Sequence, residues 1–360
     1  MTLTKRIVPV ALAVSVISTG FMAYNQPLNV EASSNHVVKK EQEQQEAKIT
    51  NIKALNTMTL QITFNQPLAA KDVDPNNLEN IKKDFNFNGD LEIVNVPRLM
   101  TGAKSTYIVP VTIQEDDFMY TLNYKGQRVK YFEGTDEKLQ IRNTQQVTND
   151  TFELESFLED GVVDYANVIE AYRNGRGDLA FALDKHNRDK DGKRYDIISS
   201  LRDRSVTVTG SNGDKFVANY VPFTQAADGR QAPKFRLPAG QTLKPGVTYK
   251  ISSTWADIDH KTFVAKYVAP LTIQSAEAID NKSIQIKLDK DPKMELFAGR
   301  SVQLRGNDGS NLQAQYRFSS RKGVVGVFDV TNGTLKSGVK YNVVPVNNWA
   351  KTSSVSFTAK

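Results

Sequence analysis

The sequence predicts an all-β protein built from about three domains in tandem, and two observations carry this prediction. A stretch of alternating apolar and polar residues, Ser205 to Trp255, returns as Ser301 to Trp349. Each copy begins with two alternating runs around Asn212-Gly213 or Asp308-Gly309, dipeptides that supply the positive φ of a tight β-hairpin turn. The chain also has 360 residues, which suits two to four domains of ordinary size.

Composition excludes several classes of function. The chain has no cysteine and only three histidines, His36, His186 and His260, which excludes disulfide frameworks, thiol catalysis and zinc sites built from Cys and His. The net charge of +6 comes from interspersed Lys, Arg, Asp and Glu. Without a basic block or a basic and aromatic stripe, we expect no nucleic-acid partner, and anionic wall polymers fit the charge better.

The first residues have the features of a targeting segment. Two basic residues precede an apolar run at 7–23, and Val30-Glu31-Ala32 offers small residues where a signal peptidase cuts. We therefore predict a secretory signal peptide over 1–32, with an uncleaved membrane anchor as the alternative. Residues 33–48 are rich in Gln and Glu and have no aromatic residue, so we expect a polar disordered leader. No integral membrane segment is expected after signal cleavage.

The first and third predicted domains, 49–144 and 270–360, open alike. Two short alternating runs flank a turn at Asn56-Thr57, and the same arrangement returns 224 residues later, with Ile49 at the place of Ile273. Such runs of branched apolar residues around polar turns are typical of β-strands. This second repeat is independent of the first repeat and supports the same division into domains.

The middle predicted domain, 145–269, carries an insertion at about 157–200. The stretch between its opening strand and its repeated hairpin is much longer than the same stretch of the third domain. Ala166, Ile169 and Tyr172 recur there at helical spacing, which predicts a partly helical insertion. Because functional loops are commonly displayed on a rigid scaffold, we expect any special activity of the chain to lie in this segment.

The openings and late strands together resemble a known family. Ala54 to Ile62 and Ala278 to Ile286 share an alternating pattern around Asn or Asp, and Gly246 to Tyr249 and Gly338 to Tyr341 share the form Gly-Val-x-Tyr. These phrases look like the immunoglobulin-like repeats of surface-layer and other secreted wall proteins of Gram-positive bacilli. The resemblance implies three tandem immunoglobulin-like β-sandwich domains, the middle one with the insertion, and an extracellular protein without enzymatic activity.

One loop of the insertion has the pattern of a calcium site. Asn187, Asp189 and Asp191 place oxygens at alternating positions before Gly192, as in loops that bind Ca²⁺. The twelfth position of such a loop normally holds a bidentate Glu, and here it is Ile198. Flanking basic residues also weaken divalent-ion binding. The two interpretations are a Ca²⁺ site, the one cofactor considered, and a solvated hairpin tip.

A second motif of the insertion is an adhesion tripeptide, Arg176-Gly177-Asp178. It follows Asn174-Gly175, a dipeptide typical of exposed turns. The motif makes these residues candidates for binding a host-surface ligand, against the alternative of a chance tripeptide.

Each copy of the long repeat contains one tryptophan, Trp255 or Trp349, soon after the Gly-Val-x-Tyr phrase. An exposed indole stacks well on the flat face of a sugar ring, which makes both residues candidates for carbohydrate binding. The alternative is that both are packed in the core, as large aromatic residues in alternating strands usually are.

No nucleophile elbow, phosphate loop, dinucleotide fingerprint or zinc-protease motif occurs in the sequence. A glycoside hydrolase needs only two carboxylates close in space, and Asp160, Asp164 and Glu170 are the candidates in the insertion. We therefore expect no catalytic residues, and we keep a hydrolase as an alternative.

The function predicted is that of a secreted structural or adhesive protein of the cell surface or extracellular matrix. Its expected partners are cell-wall polymers or copies of itself, through broad polar contacts of sheet faces and edges. The first alternative is a module that binds a polysaccharide or a host-surface ligand.

Overall fold

A computed structural model describes residues 46–165, 183–184, 186–222, 230–292 and 297–360. The all-β prediction is confirmed, since one seven-residue α-helix accompanies 26 strands in this part of the chain. No helix described there is long and apolar enough to cross a membrane. The predicted signal peptide, the leader up to residue 45 and the helical spacing at Ala166 to Tyr172 lie outside the described residues.

The first sandwich consists of seven strands in two sheets. They are β1 (Ile49–Asn56), β2 (Thr59–Phe64), β3 (Phe85–Phe87), β4 (Arg98–Leu99), β5 (Thr106–Pro110), β6 (Met119–Tyr124) and β7 (Lys130–Glu133). One sheet has the order β1-β2-β5-β4 and the other the order β3-β6-β7. This is the order A-B-E-D and C-F-G of a constant-type immunoglobulin domain. Helix α1 (Leu78–Asp84) lies in the connection from β2 to β3.

The second and third sandwiches share one strand order. The second contains β8 (Leu139–Gln146), β9 (Thr151–Phe157), β10 (Val162–Asp164), β11 (Asp196–Ile198), β12 (Ser205–Gly210), β13 (Lys215–Val221), β14 (Arg230–Gln231), β15 (Lys234–Arg236), β16 (Thr248–Ser252), β17 (Ala256–His260) and β18 (Thr262–Val264). The third contains β19 (Leu271–Ala278), β20 (Ser283–Leu288), β21 (Ser301–Gly306), β22 (Asn311–Tyr316), β23 (Val325–Val330), β24 (Lys340–Pro345), β25 (Ala350–Thr352) and β26 (Ser356–Thr358).

Eight strands of each sandwich correspond in their pairing, whereas β10 and β11 form a separate two-stranded sheet and β14 pairs only with β9. The orders are β17-β8-β9-β15-β13-β12-β16-β18 and β25-β19-β20-β23-β22-β21-β24-β26. In both, the first strand pairs in parallel with one late strand, β8 with β17 and β19 with β25. β13 and β22 each follow the third immunoglobulin-type strand of their sandwich. Each pairs with one strand of either sheet and so joins the two sheets along one edge. The chain is therefore three immunoglobulin-like sandwiches in tandem.

Each sandwich has its own apolar core, filled by the alternating side chains of the hairpins. In the third, Val302 lies opposite Ala314 and Leu304 opposite Leu312, and all four are buried. Burial of a Val or Leu side chain stabilises a fold by about 1.5 to 3 kcal/mol. Because side chains alternate between the two faces of a strand, a slip of one residue would expose this whole set, and burial therefore fixes the register.

All three sandwiches contain a tyrosine corner at the second residue of the sixth immunoglobulin-type strand. The hydroxyls of Tyr120, Tyr249 and Tyr341 accept hydrogen bonds from backbone N–H groups five residues upstream, at 2.9, 3.0 and 3.1 Å. This contact is a feature of immunoglobulin-like sandwiches. The residue three before each tyrosine has a positive φ, supplied by glycine twice and by Asp117 in the first sandwich.

Candidate functional site

The loop predicted to bind Ca²⁺ uses its carboxylates to hold its own turns. One oxygen of Asp189 accepts hydrogen bonds from the N–H groups of Asp191 and Lys193, and the other accepts from the Tyr195 hydroxyl. The side-chain oxygen of Asn187 is buried without a hydrogen-bond partner, so this one oxygen fits a ligand role. The loop itself engages three of the roughly four lone-pair sites of the Asp189 carboxylate. The Ca²⁺ site therefore stays a prediction.

No group of three or more His, Asp or Glu side chains in the described ranges is arranged to hold a metal ion. The adhesion tripeptide Arg176-Gly177-Asp178 lies outside the described residues, and its role also stays a prediction.

The two tryptophans occupy equivalent positions in the cores of the second and third sandwiches. Trp255 is 2% exposed and Trp349 is 7% exposed. Their indole N–H groups donate to the backbone oxygens of Ser205 and Ser301, at 3.0 and 2.9 Å. In these positions neither indole offers a free face to a sugar ring, because a stacking platform must be open to its ligand. The structure gives both residues the core position that the sequence left as the alternative.

The carboxylates considered for a hydrolase are described only in part. Asp160 lies 2.6 Å from the Arg142 guanidinium, Asp164 ends β10, and Glu170 lies outside the described residues. A carboxylate that the sequence did not single out, Glu153, is 2% exposed and lies 2.7 Å from the ammonium of Lys234. Both members of this ion pair are buried, so it belongs to the interior of the second sandwich.

The described parts of the insertion pack against the first sandwich. Strands β10 and β11 pair in parallel. Val163, Tyr165 and Ile197 form one buried cluster with Leu55 and Ile108 of the first sandwich. The apolar side chains of these parts pack on a surface of the neighbouring sandwich, and the expectation that a special activity lies in the insertion stays a prediction.

Polar contacts fix the position of the insertion on that surface. The Asn56 amide donates to the Ile197 oxygen at 3.0 Å, and the Thr59 hydroxyl donates to Ser199 at 2.8 Å. The Tyr165 hydroxyl accepts from the Thr101 N–H at 2.7 Å. Burial raises the pKa of Tyr165 to about 12, against the lowering effect of its hydrogen bonds with Thr101. Satisfied buried polar groups of this kind specify one geometry, because any displacement leaves them without partners.

Two buried residues connect the first and second sandwiches at their joint: an arginine of the second, and a methionine of the first that inserts into the core of the second. Met58, in the turn from β1 to β2, is fully buried and belongs to the core cluster of the second sandwich. Arg204, the residue before β12, donates a hydrogen bond from Nη2 to the Val111 oxygen of the first sandwich. Burial is the main cause that lowers the pKa of Arg204 to about 10, so the side chain stays charged at neutral pH.

The joint between the second and third sandwiches uses the equivalent arginine. Arg300, the residue before β21, donates from both Nη atoms to the carboxylate of Asp150, at 2.6 and 2.8 Å. Arg236 donates from Nη1 to the Ala298 oxygen at 2.8 Å. Burial opposes ionisation of Asp150, but the hydrogen bonds and charge of Arg300 hold the pKa of this carboxyl far below its usual range.

The two joint arginines are functional residues that the sequence interpretation missed. Arg204 and Arg300 stand immediately before the repeated Ser-Val that opens each hairpin, and the backbone oxygen of each accepts the N–H of Tyr220 or Tyr316 at 3.0 Å. The repeat therefore begins one residue earlier than Ser205 and Ser301. This additional shared arginine is the feature by which sequence analysis could have found the two joints. What the arginines contact could not be predicted from it, since Val111 and Asp150 lie in different loops.

Comparison with known proteins finds only distant likenesses. No protein-family model matches the chain, and no curated protein matches its sequence. Among solved structures, surface layer protein SbsC, domains 1–6, is similar at 11% identity and a TM-score of 0.18 over 87% of this chain and 54% of that one. The chicken CNTN1 FN1–FN3 domains are similar at 8% identity and a TM-score of 0.19, over 87% of this chain and 98% of that one.

The chain thus spans about half the length of the surface layer structure that it matches. With TM-scores near 0.2, these likenesses carry no argument about function. The immunoglobulin-like class rests on the strand order, the parallel first strand and the tyrosine corners of this chain itself.

Proposed function

We propose that this protein is a secreted, non-enzymatic structural component of the cell surface or extracellular matrix, in which three sandwiches are held at fixed relative positions. The observation that carries the proposal is the repeated joint: equivalent buried arginines, Arg204 and Arg300, each reach from one sandwich to an acceptor on the sandwich before it.

Neighbouring domains of one chain usually move relative to one another unless their interface is extensive. A buried arginine opposes such motion, since separating it from its acceptor leaves an uncompensated charge or donor in a poorly solvated site. Both joints of this chain contain one, and the insertion adds an apolar contact at the first joint. Fixed spacing of surface modules suits a structural role better than a role that needs closure around a ligand.

The expected partners follow from the same surfaces. Edge strands and sheet faces offer broad polar contact to wall polymers or to further copies of the chain. The charge of +6 favours anionic polymers. Secretion is part of the proposal and rests on the targeting features of residues 1–32.

The test is fractionation of cells that produce the full chain, with and without a chelator, into wall, medium and soluble fractions. A structural protein sediments with the wall or forms polymers. Replacing both joint arginines, Arg204→Met with Arg300→Met, should weaken this association, whereas the exposed Arg142→Met with Arg305→Met should leave it unchanged. Wild-type protein that stays monomeric in the medium under every condition would overturn the proposal.

A further inference from the structure

The cleft between the second and third sandwiches contains more positive than negative charge. It has a volume of about 110 Å³, and its described lining includes Asp150, Arg236, Gly240, Gly299 and Arg300. Among the side chains described there, two are guanidiniums and one is a carboxylate. The carboxylate accepts hydrogen bonds from Arg300 through both of its oxygens, and its charge also attracts Arg236, so one negative charge serves two positive charges.

The cleft also has more hydrogen-bond donors than acceptors. Nη2 of Arg236 and Nε of Arg300 are buried and have no hydrogen-bond partner. A buried donor without an acceptor destabilises the folded state, and more so when the donor carries charge. Burial and then the charge of Arg300 lower the pKa of Arg236 to about 9, with Asp150 opposing them. The surroundings of Arg236 in the cleft therefore disfavour its charged form.

We propose that this cleft binds one small oxyanion, such as a phosphate group. An oxyanion supplies both the negative charge and the acceptors that the two arginines lack, and guanidinium groups match phosphate oxygens in geometry. Nε and Nη1 of Arg236 already donate to Thr151 and Ala298, so Nη2 is the guanidinium nitrogen that still lacks an acceptor. The volume is well above the roughly 10 to 15 Å³ that one water needs and well below the roughly 300 to 1,000 Å³ of larger ligand pockets.

The backbone of the third sandwich is shaped to admit Arg236 to this position. Gly299 has a φ of +67°, and a Cβ added there would lie 3.1 Å from Nη1 of Arg236. A side chain at this position would crowd the guanidinium as well as strain the backbone. The glycine therefore allows the arginine of one sandwich to lie against the next.

The experiment titrates inorganic phosphate into the full chain by calorimetry at constant ionic strength, with chloride as the background anion. Wild-type protein should bind one phosphate saturably. Arg236→Gln keeps the Asp150–Arg300 pair and removes the surplus charge, and it should weaken binding by about tenfold or more, as expected for loss of a charge-assisted hydrogen bond. Arg305→Gln, an equal change of charge at an exposed position of β21, should bind like wild type.

Because phosphate binds the folded state, saturating phosphate should also raise the melting temperature of wild-type protein and of Arg305→Gln by more than that of Arg236→Gln. A cleft that serves only to join the sandwiches predicts no saturable phosphate binding, or equal binding by Arg236→Gln and Arg305→Gln, and either result overturns the proposal. Circular dichroism checks that each variant is folded.

A second arm identifies the source of the group. Poly(glycerol phosphate) competing with inorganic phosphate on wild-type protein, but failing to bind Arg236→Gln, indicates a phosphodiester of an anionic polymer. Binding of inorganic phosphate without such competition indicates the free ion. The site inference is independent of the structural role proposed above, because wall association is measured by fractionation and phosphate binding by titration of purified protein.

Discussion

At the scale of single residues, the tyrosine corners connect the strongest sequence phrase to a specific contact. Tyr341 is fully buried, and its hydroxyl satisfies the Lys336 N–H at 3.1 Å. Tyr249 makes the equivalent contact with Lys244 and also donates to Asp214 at 3.3 Å. The phrase Gly-Val-x-Tyr thus encodes a turn with positive φ followed by a tyrosine that closes it.

Removing one corner hydroxyl should destabilise its sandwich. Tyr341→Phe keeps the ring in the core but leaves the Lys336 N–H without its acceptor, so we expect a loss of about 1 to 2 kcal/mol in the free energy of unfolding. Chemical denaturation followed by tryptophan fluorescence measures it. Tyr131→Phe is the control, since Tyr131 is 69% exposed, and it should unfold like wild type. Equal stability of the two variants would contradict a structural role for the corner.

The first sandwich shows why the sequence analysis found the Gly-Val-x-Tyr phrase only twice, although all three sandwiches have a tyrosine corner. There the residue with positive φ is Asp117 and the tyrosine is Tyr120, so the glycine that marks the motif is missing. Asp tolerates this conformation better than most residues, and the geometry survives without the letter pattern. The alternating core residues were predictable because period 2 is a local property of strands. The burial of Trp255 and Trp349 was not, since the same letters suit a core or a surface.

At the scale of elements, the insertion shows the limit of local patterns. The sequence revealed the extra length of the middle domain, but its partner surface is formed by β5 and the β1–β2 turn of the first sandwich, far away in the chain. Contacts of such large sequence separation have no periodic signature. The described strands β10 and β11 pair in parallel and pack on the first sandwich. The described part of the insertion therefore belongs to the joint between the first and second sandwiches.

Truncating the insertion's apolar contact should loosen that joint. Ile197 is 1% exposed in the cluster it shares with Ile108, and Ile197→Ala should cost about 2 to 5 kcal/mol through lost burial and a cavity. Hydrogen exchange should report faster exchange in both β11 and β5. Val217→Ala, at a position that is 53% exposed on β13, should leave exchange in these strands unchanged. Faster exchange in β11 alone would mean that the insertion does not depend on the first sandwich.

At the scale of the whole molecule, the two joints follow one rule with different acceptors. The arginine before the third immunoglobulin-type strand reaches back to the preceding sandwich, to a backbone oxygen at the first joint and to a carboxylate at the second. The immunoglobulin-like class was predicted from the sequence, and the repeated Arg-Ser-Val was visible in it. The acceptors were not, because they depend on how one sandwich is placed against the next.

This difference predicts that acid opens the second joint before the first. The pKa of Asp150 is depressed in the closed joint by Arg300, so its contribution is fully present above the ordinary carboxyl pKa of about 3.9 and is lost as pH falls through the lower, closed-state value. Val111 offers a backbone oxygen, which does not titrate. Small-angle scattering in phosphate-free buffer should therefore show the molecule expanding below about pH 4.

Asp150→Asn should reproduce the acid state at neutral pH, because the amide cannot form the charged pair with Arg300 and leaves that guanidinium buried and uncompensated. Its scattering curve at pH 7 should match that of wild type at low pH, and lowering the pH should change it little further. Asp257→Asn, whose side chain is 63% exposed, should keep the acid response of wild type. If Asp150→Asn stays as contracted as wild type at neutral pH, the Asp150–Arg300 pair does not hold the second and third sandwiches together.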